Sequence, residues 1–441
     1  MALSFGTDGV RGVAQELLDE NFVTYLALAA SNVLKSDQWI LGRDTRESGV
    51  ALSSAMIAAL DHEGIEILDV GVVPTPAIAL LSREQNCAGA VISASHNPWT
   101  DNGVKIFAPG GRKLHDHEQT GIENKLQQLI SQPPQEIRSN LSPRLYPKPT
   151  DSWAMSLVAA LEGRTLEGMR IIIDCANGSA AHIAFAIFNE VGARVALINA
   201  DPNGRNINED CGSTYPDGLA KEVLSTGADL GLALDGDADR LIGVASDGSL
   251  IDGDIQICLF AKDLADRDRL MHRKAIITPM TNLGARISLE KAAIGTIEVP
   301  VGDRNILAEL EAGSSNFGGE QSGHVIFHDL ATTGDGLLSG LLLADLVKRK
   351  GQSSAALASA AMSRYPQVLI NVPIDSNASP IIKAIEPKIN ESKLRLGSAG
   401  RVLVRPSGTE ALIRVMVEAE KEQTANDEAK RLASFIKSAA D

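Results

Sequence analysis

The unit that decides the fold is the stretch MRIIIDCANGSAAHIAFAIFNEVGARVALI of residues 169–198. A strand-like apolar run at Met169–Asp174 is followed by an Ala-rich helical segment at Ala180–Asn189 and by a second strand-like run at Arg194–Ile198. Two β-branched runs separated by a segment of helical length predict two parallel strands joined by a crossover helix. The stretch therefore predicts an α/β fold.

The same order of elements recurs on both sides of this stretch. Before it, strand-like runs at Trp39–Gly42, Ile65–Val70 and Ala90–Ile92 alternate with helical segments. After it, Lys274–Thr278 and Thr296–Val299 flank another helical segment. Repeated units of this kind favour largely parallel sheets.

The C-terminal segment has a different order, in which Arg401–Arg405, a turn, Leu412–Ala419 and a helix at Gln423–Ala439 predict a compact α+β domain. The Pro-rich Gln132–Pro149 segment and the Tyr365–Pro373 segment are interpreted as joints between domains. A chain of 441 residues, at about 100–200 residues per domain, has room for several domains. We predict three α/β domains with mixed, largely parallel sheets and a C-terminal α+β domain, with bounds at 1–150, 151–250, 251–366 and 367–441.

The composition excludes several classes of protein. Charged residues make up 22% of the chain and hydrophobic residues 44%, which indicates a globular protein and not a disordered or fibrous one. The 41 basic and 56 acidic side chains leave a net charge of −15. The field of that charge repels phosphates, so we expect no nucleic acid and no anionic membrane as a partner.

Cysteine usage and the N-terminal residues bear on the compartment. The four cysteines are widely spaced and form no CxxC pair, which favours a reducing environment. The first ten residues contain neither a basic region nor an apolar region of the kind found in signal peptides, and no stretch reaches about 18 uninterrupted apolar residues. We therefore expect a cytoplasmic protein.

The first polar loop is Ser93-Ala94-Ser95-His96-Asn97-Pro98, which follows the apolar Ala90–Ile92 run. Pro98 keeps the residue before it out of a helix, so the loop predicts an exposed turn at Ser95. Ser95 is a candidate nucleophile, and the alternative is a hydrogen-bonded Ser/Asn turn without a chemical role. The residues alone do not choose between Ser93 and Ser95.

The second loop places Asp235, Asp237 and Asp239 directly after an apolar strand. Three like charges in a short loop repel one another unless a cation neutralises them. A calcium-binding EF-hand is excluded, because its sixth position would be Arg240 where that loop requires glycine. Three oxygen ligands with open positions suit Mg²⁺, and the alternative is a solvated acidic turn.

A third loop, Arg405-Pro406-Ser407-Gly408-Thr409-Glu410, lies between two predicted strands. One guanidinium, two hydroxyls and a glycine in a tight loop are typical of a phosphate site. A plain β-turn accounts for the proline and the glycine, although not for Arg405, Ser407 and Thr409 together.

The sequence GGEQSGH places Glu320, Ser322 and His324 among glycines, which let the backbone approach a ligand closely. We predict that this loop recognises a polyol, and a simple Gly-rich turn is the alternative. Arg11 and Lys105 supply cations on loops near the candidate nucleophile, and either could equally be a surface charge.

Two further patterns receive structural interpretations. His115-Asp116-His117 has the spacing of metal ligands, but it precedes an amphipathic segment and predicts the start of a solvated helix. Asp252-Gly253-Asp254 is interpreted as a turn.

The common nucleotide-binding and hydrolase motifs GxxxxGK[ST], GxGxxG, HExxH and GxSxG are absent from these loops. The order of motifs instead resembles that of the α-D-phosphohexomutase superfamily, and the resemblance spans Phe5 to Met416. Together the motifs are highly specific, and they are FGTDGVRG, SASHNP, DGDADR, VGDRN, GGEQSGH, TTGDG and RPSGTE.

The resemblance implies a four-domain fold around a central cleft and assigns a role to each candidate residue. It chooses Ser95 over Ser93 as the serine that carries a phosphoryl group. The implied assignments are Ser95, Asp235, Asp237 and Asp239 for one Mg²⁺ ion, Glu320 and Ser322 for sugar hydroxyls, Arg405, Ser407, Gly408 and Thr409 for the distal phosphate, and Arg11, Lys105 and His324 for assistance to the transfer.

The implied reaction is an isomerisation that converts a hexosamine 6-phosphate into the 1-phosphate and back. It passes through a phosphoserine and a 1,6-bisphosphate intermediate. Its product would feed UDP-N-acetylglucosamine and cell-wall precursor synthesis. Alternatives are activity on glucose or mannose phosphates and a non-catalytic sugar-phosphate sensor, although a sensor needs no nucleophile. The oligomeric state stays open, a homodimer included. Four positions depart from the family pattern without removing a functional group: Trp99, Ala238, Asn305 and Ala411.

Overall fold

The computed structural model describes residues 5–6, 9–132, 137, 144–375, 377–407 and 411–440. These residues form four β-sheets, each accompanied by helices. We call each sheet with its helices a domain and number the four domains in chain order.

Domain I contains a mixed sheet whose elements are β1 (Val10–Val13), α1 (Glu20–Leu34), β2 (Gln38–Arg43), α2 (Gly49–His62), β3 (Glu66–Val72), α3 (Thr75–Glu84), β4 (Ala88–Ile92), β5 (Asp101–Ala108), β6 (Arg112–Lys113), α4 (Asp116–Ile130) and β7 (Arg144–Leu145). The described strand order is β1-β5-β4-β2-β3-β7, and β6 pairs with β5. Strands β4, β2, β3 and β7 are parallel, while β1, β4 and β6 run antiparallel to β5.

Domain II consists of α5 (Asp151–Ala159), β8 (Arg170–Asp174), α6 (Ala184–Glu190), β9 (Arg194–Ile198), α7 (Asp217–Thr226), β10 (Leu230–Leu234), β11 (Leu241–Ala245) and β12 (Leu250–Ile251). Its strand order is β12-β11-β10-β8-β9. Strands β10, β8 and β9 are parallel, so the strand–helix–strand unit predicted for residues 169–198 is confirmed.

Domain III consists of α8 (Gly253–Asp266), β13 (Lys274–Ile277), α9 (Leu283–Lys291), β14 (Gly295–Glu298), α10 (Asp303–Glu311), β15 (Phe317–Gly319), β16 (Val325–Phe327), α11 (Gly336–Lys350) and α12 (Ser354–Ala361). Its order is β14-β13-β15-β16, with only the β15–β16 pair antiparallel.

Domain IV has the antiparallel order β17-β19-β18 and consists of β17 (Gln367–Pro373), α13 (Ala378–Leu396), β18 (Gly400–Pro406), β19 (Leu412–Ala419) and α14 (Glu422–Ala440).

The largest hydrophobic core joins the first three domains. It contains Ile78 of α3, Trp153 of α5, Leu232 of β10 and Leu341 of α11, all of them buried. Helix α11 belongs to domain III in the chain but packs against β10 and β11 of domain II. Domain IV has a core of its own, built from its strands and its two helices.

The predicted fold class is confirmed, while one local prediction is wrong. Asp252-Gly253-Asp254 is the start of α8, because the Asp252 side chain accepts a hydrogen bond from the Ile255 N–H group and so caps a helix. The predicted Tyr365–Pro373 joint lies where domain III passes into domain IV, and most of it is strand β17, which pairs in continuous register with β19. Much of the other predicted joint, Gln132–Pro149, lies outside the described residues. The exact domain bounds stay predictions.

None of the helices in the described part of the chain combines the length and the apolar character that crossing a membrane requires. The predicted helix start at His115-Asp116-His117 is confirmed, since α4 begins at Asp116.

Candidate active site

Loops that follow β4, β10 and β15 come together where domains I, II and III meet. They carry Ser95, the aspartates of the DGDADR loop and the GGEQSGH loop, and their side chains touch across domain boundaries. In open α/β sheets ligands bind beyond the carboxyl ends of the strands, which is where these loops lie. The convergence therefore defines the candidate active site.

Ser95 is buried, with no exposed surface, so the predicted exposed turn is wrong in that respect. The turn itself is present: Ser95 has a φ of 55°, and its N–H donates to Ser93 Oγ at 3.0 Å. The Ser95 carbonyl accepts hydrogen bonds from Arg46 Nη2 at 3.3 Å and from Asn208 Nδ2 at 2.9 Å. Gly236 approaches from domain II so closely that a Cβ there would lie 2.8 Å from the same carbonyl oxygen.

The Ser95 hydroxyl donates to Asp235 Oδ2 at 2.5 Å, across 140 residues of chain. It also lies 3.3 Å from His96 Nδ1. Burial and the nearby charges of Arg240 and Arg11 lower the pKa of His96 to about 4, so this imidazole is neutral at pH 7. The hydroxyl is therefore held in one orientation, facing the acidic loop.

Asp235, Asp237 and Asp239 are all buried, and one oxygen from each lies within 4.8 Å of the others. Burial, reinforced by the charges of Asp239 and Asp237, raises the pKa of Asp235 well above its ordinary value. Asp237 Oδ1 has no hydrogen-bond donor in the described chain, and the nearest donor to Asp239 Oδ1 is the His324 ring at 3.6 Å. Crowded carboxylates with such free oxygens fit a divalent cation such as Mg²⁺.

Lys105 of β5 reaches into the acidic loop from domain I. Its Nζ lies 2.7 Å from Asp237 Oδ2 and 2.6 Å from Asp239 Oδ2, and Thr75 Oγ1 donates to Asp237 Oδ2 at 2.6 Å. Burial alone would raise the pKa of Asp239, but the charges of Lys105 and His324 outweigh it and hold that pKa well below its ordinary value. Lys105 therefore neutralises part of the acidic charge.

His324 connects the GGEQSGH loop to the acidic loop. Its Nδ1 lies 3.6 Å from Asp239 Oδ1, its Nε2 lies 3.6 Å from Asp303 Oδ2, and the Gly334 N–H donates to Nε2 at 3.2 Å. Burial would lower the pKa of His324, but the negative charge of Asp239 wins and raises it. This ring is held by all three neighbours.

The other two predicted residues of this loop also face the interior. Glu320 Oε1 accepts a hydrogen bond from the Gly302 N–H at 3.0 Å. Ser322 Oγ is buried and has no partner in the described chain. A buried hydroxyl without a partner is available to a ligand.

Arg11 and the RPSGTE loop complete the predicted set. Arg11 stands opposite Gly103 on β5 and lies near enough to His96 for its charge to lower the pKa of that imidazole. The described contacts of Arg405 are with Met280 and Arg414, away from the acidic loop. Ser407 N–H donates to the Leu412 carbonyl at 2.9 Å, while Gly408 and Thr409 lie outside the described residues.

Several residues at the site were not predicted. Arg46 and Asn208 hold the Ser95 backbone, Thr75 holds Asp237, and Asp303, which forms a salt bridge with Lys113 of domain I, lies beside His324. Arg46 and Thr75 follow β2 and β3, so polar residues after neighbouring strands were the signal that could have identified them. Asn208 lies in a loop with no such signal.

The site combines a buried serine, hydrogen-bonded to one of three crowded carboxylates, with a lysine that pairs with the other two. This combination is typical of a phosphoryl-transfer enzyme. The comparisons with known proteins agree. Four family models of phosphoglucomutase/phosphomannomutase match the chain: domain I at residues 2–132, domain II at 152–248, domain III at 252–365 and the C-terminal domain at 369–435.

Curated relatives show to which group of enzymes within this family the chain is most similar. A phosphoglucosamine mutase from Rhodococcus opacus is 43% identical over 446 residues, which are 99% of this chain and 100% of the relative. One from Thermobifida fusca is 42% identical, with 99% of this chain and 98% of the relative covered. The chain therefore belongs to the phosphoglucomutase/phosphomannomutase family and, within it, to the phosphoglucosamine mutases, which are isomerases.

Solved structures share the fold at lower identity. A family protein from Burkholderia thailandensis has a TM-score of 0.81 at 22% identity, with 99% of this chain and 98% of that chain covered. An N-acetylphosphoglucosamine mutase from Aspergillus fumigatus, solved with GlcNAc-6P and magnesium, has a TM-score of 0.70 at 19% identity, with 100% and 96% covered.

Replacing Asp237 with asparagine should weaken Mg²⁺ binding by at least about tenfold, because it removes one of the negative charges that face the cation. Titration calorimetry with MgCl₂ on the purified protein measures this directly, without reference to turnover. Asp247→Asn is the matched control, since Asp247 is an exposed carboxylate of the same domain that bonds only within its own turn. Equal affinities in the wild type and Asp237→Asn would contradict a metal site here.

Proposed function

We propose that this protein interconverts glucosamine 6-phosphate and glucosamine 1-phosphate through a phosphoryl group carried on Ser95. The observation that carries the proposal is the 2.5 Å contact between Ser95 Oγ and Asp235 Oδ2, within a triad of buried aspartates that Lys105 partly neutralises. The phosphoglucosamine mutases among its relatives support the amino-sugar substrate.

The reaction runs in two transfers. In the first, the bond between phosphorus and Ser95 Oγ breaks and a bond from phosphorus to the oxygen of the free sugar hydroxyl forms. That hydroxyl gives its proton to a basic group of the site, and Ser95 Oγ takes up a proton as it leaves. The resulting glucosamine 1,6-bisphosphate then reverses its orientation. In the second transfer the bond between its other phosphorus atom and the sugar oxygen breaks, and that phosphoryl group returns to Ser95 Oγ as the serine proton is released. The sugar oxygen takes up a proton, which leaves the isomeric monophosphate.

The residues around Ser95 suit this chemistry. Phosphoryl transfer depends mainly on positioning and on neutralising charge. One Mg²⁺ ion, held by Asp235, Asp237, Asp239 and the Ser95 side chain, would supply charge neutralisation for the phosphoryl group when bound. Lys105 adds a positive charge beside the same aspartates, and we assign Arg11 and His324 to assist the transfer.

Burial of Ser95 serves the same reaction. Water that reached the activated phosphoserine would compete with the sugar hydroxyl for the phosphoryl group. The Ser95 backbone is enclosed by Arg46, Asn208 and Gly236, contributed by two domains, and its side chain faces Asp235. This enclosure supports storage of the phosphoryl group between turnovers.

The two ends of the substrate are assigned to different domains. Glu320 and Ser322 of domain III contact sugar hydroxyls, while Arg405, Ser407, Gly408 and Thr409 of domain IV bind the phosphate that is not reacting. Burial, reinforced by the charge of Arg414, lowers the pKa of Arg405. Two neighbouring cations attract an anion, which supports a phosphate site at this loop.

The compartment and the metabolic place are proposed on chemical grounds. The four cysteines are buried and unpaired, which supports work in the reducing cytoplasm. The product is an amino-sugar 1-phosphate. After acetylation, a sugar 1-phosphate of this kind accepts a uridylyl group to give UDP-N-acetylglucosamine. The homodimer stays a prediction.

Turnover of glucosamine 6-phosphate, compared with that of glucose 6-phosphate and mannose 6-phosphate, tests the proposal. With Mg²⁺ and a trace of the matching 1,6-bisphosphate, we expect the largest kcat/KM for the amino sugar. Phosphorus NMR distinguishes the 1-phosphate from the 6-phosphate in each reaction. A larger kcat/KM for glucose or mannose phosphate would refute the proposed preference, and binding without isomerisation of any sugar would indicate a sensor.

Ser95→Ala should abolish turnover while leaving the fold intact, because uncatalysed cleavage of phosphate monoesters is extremely slow. Peptide mapping of active wild-type protein should show an added mass of about 80 Da on Ser95, which is the mass of HPO₃. Ser93→Ala is the control and should keep the modification on Ser95. Full activity in Ser95→Ala, or phosphate found on Ser93 alone, would overturn the mechanism.

Arg405→Ala should raise KM for glucosamine 6-phosphate by about tenfold or more, because it removes a charge-assisted hydrogen bond to the non-reacting phosphate. Arg395→Ala is the control, since Arg395 is an exposed arginine of domain IV that pairs with Glu391 and Glu428. Steady-state kinetics provides the measurement. A KM that is the same in both variants would place the phosphate site elsewhere.

A further inference from the structure

Asp254 is a completely buried carboxylate in the first turn of α8, outside the site described above. Its Oδ2 atom accepts two hydrogen bonds from different parts of the molecule. Gln321 Nε2 donates at 2.9 Å and the Asn282 N–H donates at 3.3 Å. Its Oδ1 atom is buried without a partner in the described chain.

The first of these contacts leads to the loop assigned to the sugar. Gln321 stands between Glu320 and Ser322, and its carbonyl accepts a hydrogen bond from the Gly253 N–H at 3.1 Å. The loop lies so close to α8 that a Cβ on Gly253 would be 1.9 Å from the Glu320 carbonyl oxygen. The backbone and the side chain of Gln321 are therefore both anchored at the start of α8.

The second contact leads to domain IV. Asn282 Nδ2 donates to Glu418 Oε1 at 3.2 Å and to the Tyr365 carbonyl at 2.9 Å, and Asn282 Oδ1 accepts from the Tyr365 N–H at 3.1 Å. The Leu283 N–H donates to Glu418 Oε2 at 3.1 Å. Glu418 is a buried residue of the central strand β19, and Tyr365 lies two residues before β17. Asn282 therefore contacts both the centre of the domain IV sheet and the segment that enters it.

Domain IV fastens to the same segment through its other strand. Arg401 of β18 binds Glu418 Oε2 and donates to the carbonyls of Pro279 and Thr281 at 2.8 and 2.9 Å. Arg405 lies four residues further along β18, at the start of the loop assigned to the phosphate. A continuous set of hydrogen bonds thus runs from the sugar loop through Asp254 and Asn282 to the strand that carries Arg405.

The electrostatics of Asp254 indicate a role beyond stability. Burial and the neighbouring charge of Asp252 raise the pKa of Asp254 to about 7. Arg364, whose charge opposes this shift, forms its salt bridge with Asp252 instead. A buried carboxylate with a free oxygen and no cation of its own is costly to a fold, and such groups concentrate where function requires them.

We propose that Asp254 is a positioning residue that keeps the sugar-contacting loop in register with the phosphate-binding domain, so that one hexosamine phosphate is bound by both ends together. This rests on the proposed function, because it uses the sugar and phosphate assignments made above. Asp254 touches no substrate itself and acts through Gln321 and Asn282.

Kinetics of Asp254→Ala, Gln321→Ala and the double variant with glucosamine 6-phosphate tests the proposal. Each single change should raise KM by about three- to tenfold, the effect of one lost buried hydrogen bond. The kcat should stay within about twofold, because the groups at Ser95 are unchanged. The KM of the double variant should not exceed that of the single variant with the higher KM, because both changes break the same hydrogen-bonded link.

Inhibition by inorganic phosphate separates positioning from general damage. Phosphate alone does not span the two loops, so its inhibition constant should be unchanged in the variants. Asp263→Ala is the matched control: Asp263 is another buried carboxylate of α8, paired with Arg267 and Arg349. It should lower the thermal midpoint without changing KM.

The proposal is overturned by an unchanged KM in either single variant, by multiplicative effects in the double variant, or by an equal rise in the inhibition constant for phosphate. A wild-type protein that does not isomerise glucosamine 6-phosphate would refute the proposed function before any variant is compared. Wild-type turnover with an unchanged KM in the variants would refute the positioning role alone. If Asp254→Ala does not fold, Gln321→Ala decides by the same criteria.

Discussion

The burial of three carboxylates within one short loop is the constraint on which the rest of the site depends. Asp235, Asp237 and Asp239 lie within 4.8 Å of one another and away from water, where like charges repel strongly. The other domains supply what makes this tolerable. Domain I contributes Lys105 and Thr75, and domain III contributes His324. The acidic loop is therefore stabilised by groups from domains I and III in addition to Arg240 of its own loop.

The same constraint determines where the serine stands. Its hydroxyl donates to the acidic loop from the turn after β4, and Arg46 and Asn208 hold the backbone of that turn in place. Binding of the metal, positioning of the serine and contact between the domains are thus parts of one electrostatic arrangement. A change in any of them is felt by the other two.

The sequence predicted the alternating elements and the loops that carry chemistry, because apolar periodicity and clusters of unusual polar residues are local patterns. It did not predict burial of Ser95, since the residues that cover it lie 49 and 113 positions away in the chain. The turn predicted at Asp254 was wrong for a local reason, because Asp252 caps the helix that begins there. The contacts of Asp254 with Gln321 and Asn282 were not predicted, since those residues belong to other elements. Choosing Ser95 over Ser93 needed the family resemblance, and the roles of Gly408 and Thr409 stay predictions.

The hydrophobic core shared by the first three domains has a consequence for how such chains exchange parts during evolution. Side chains of α3, α5, β10 and α11 are packed into one continuous interior, so recombination at the border between two of these domains would join halves that had adapted to different partners. Domain IV encloses its own interior and meets domain III through a small polar junction around Asn282 and Glu418. A chimera that replaces the fourth domain should therefore be tolerated far better than one that replaces the second, provided that this junction is inherited with it.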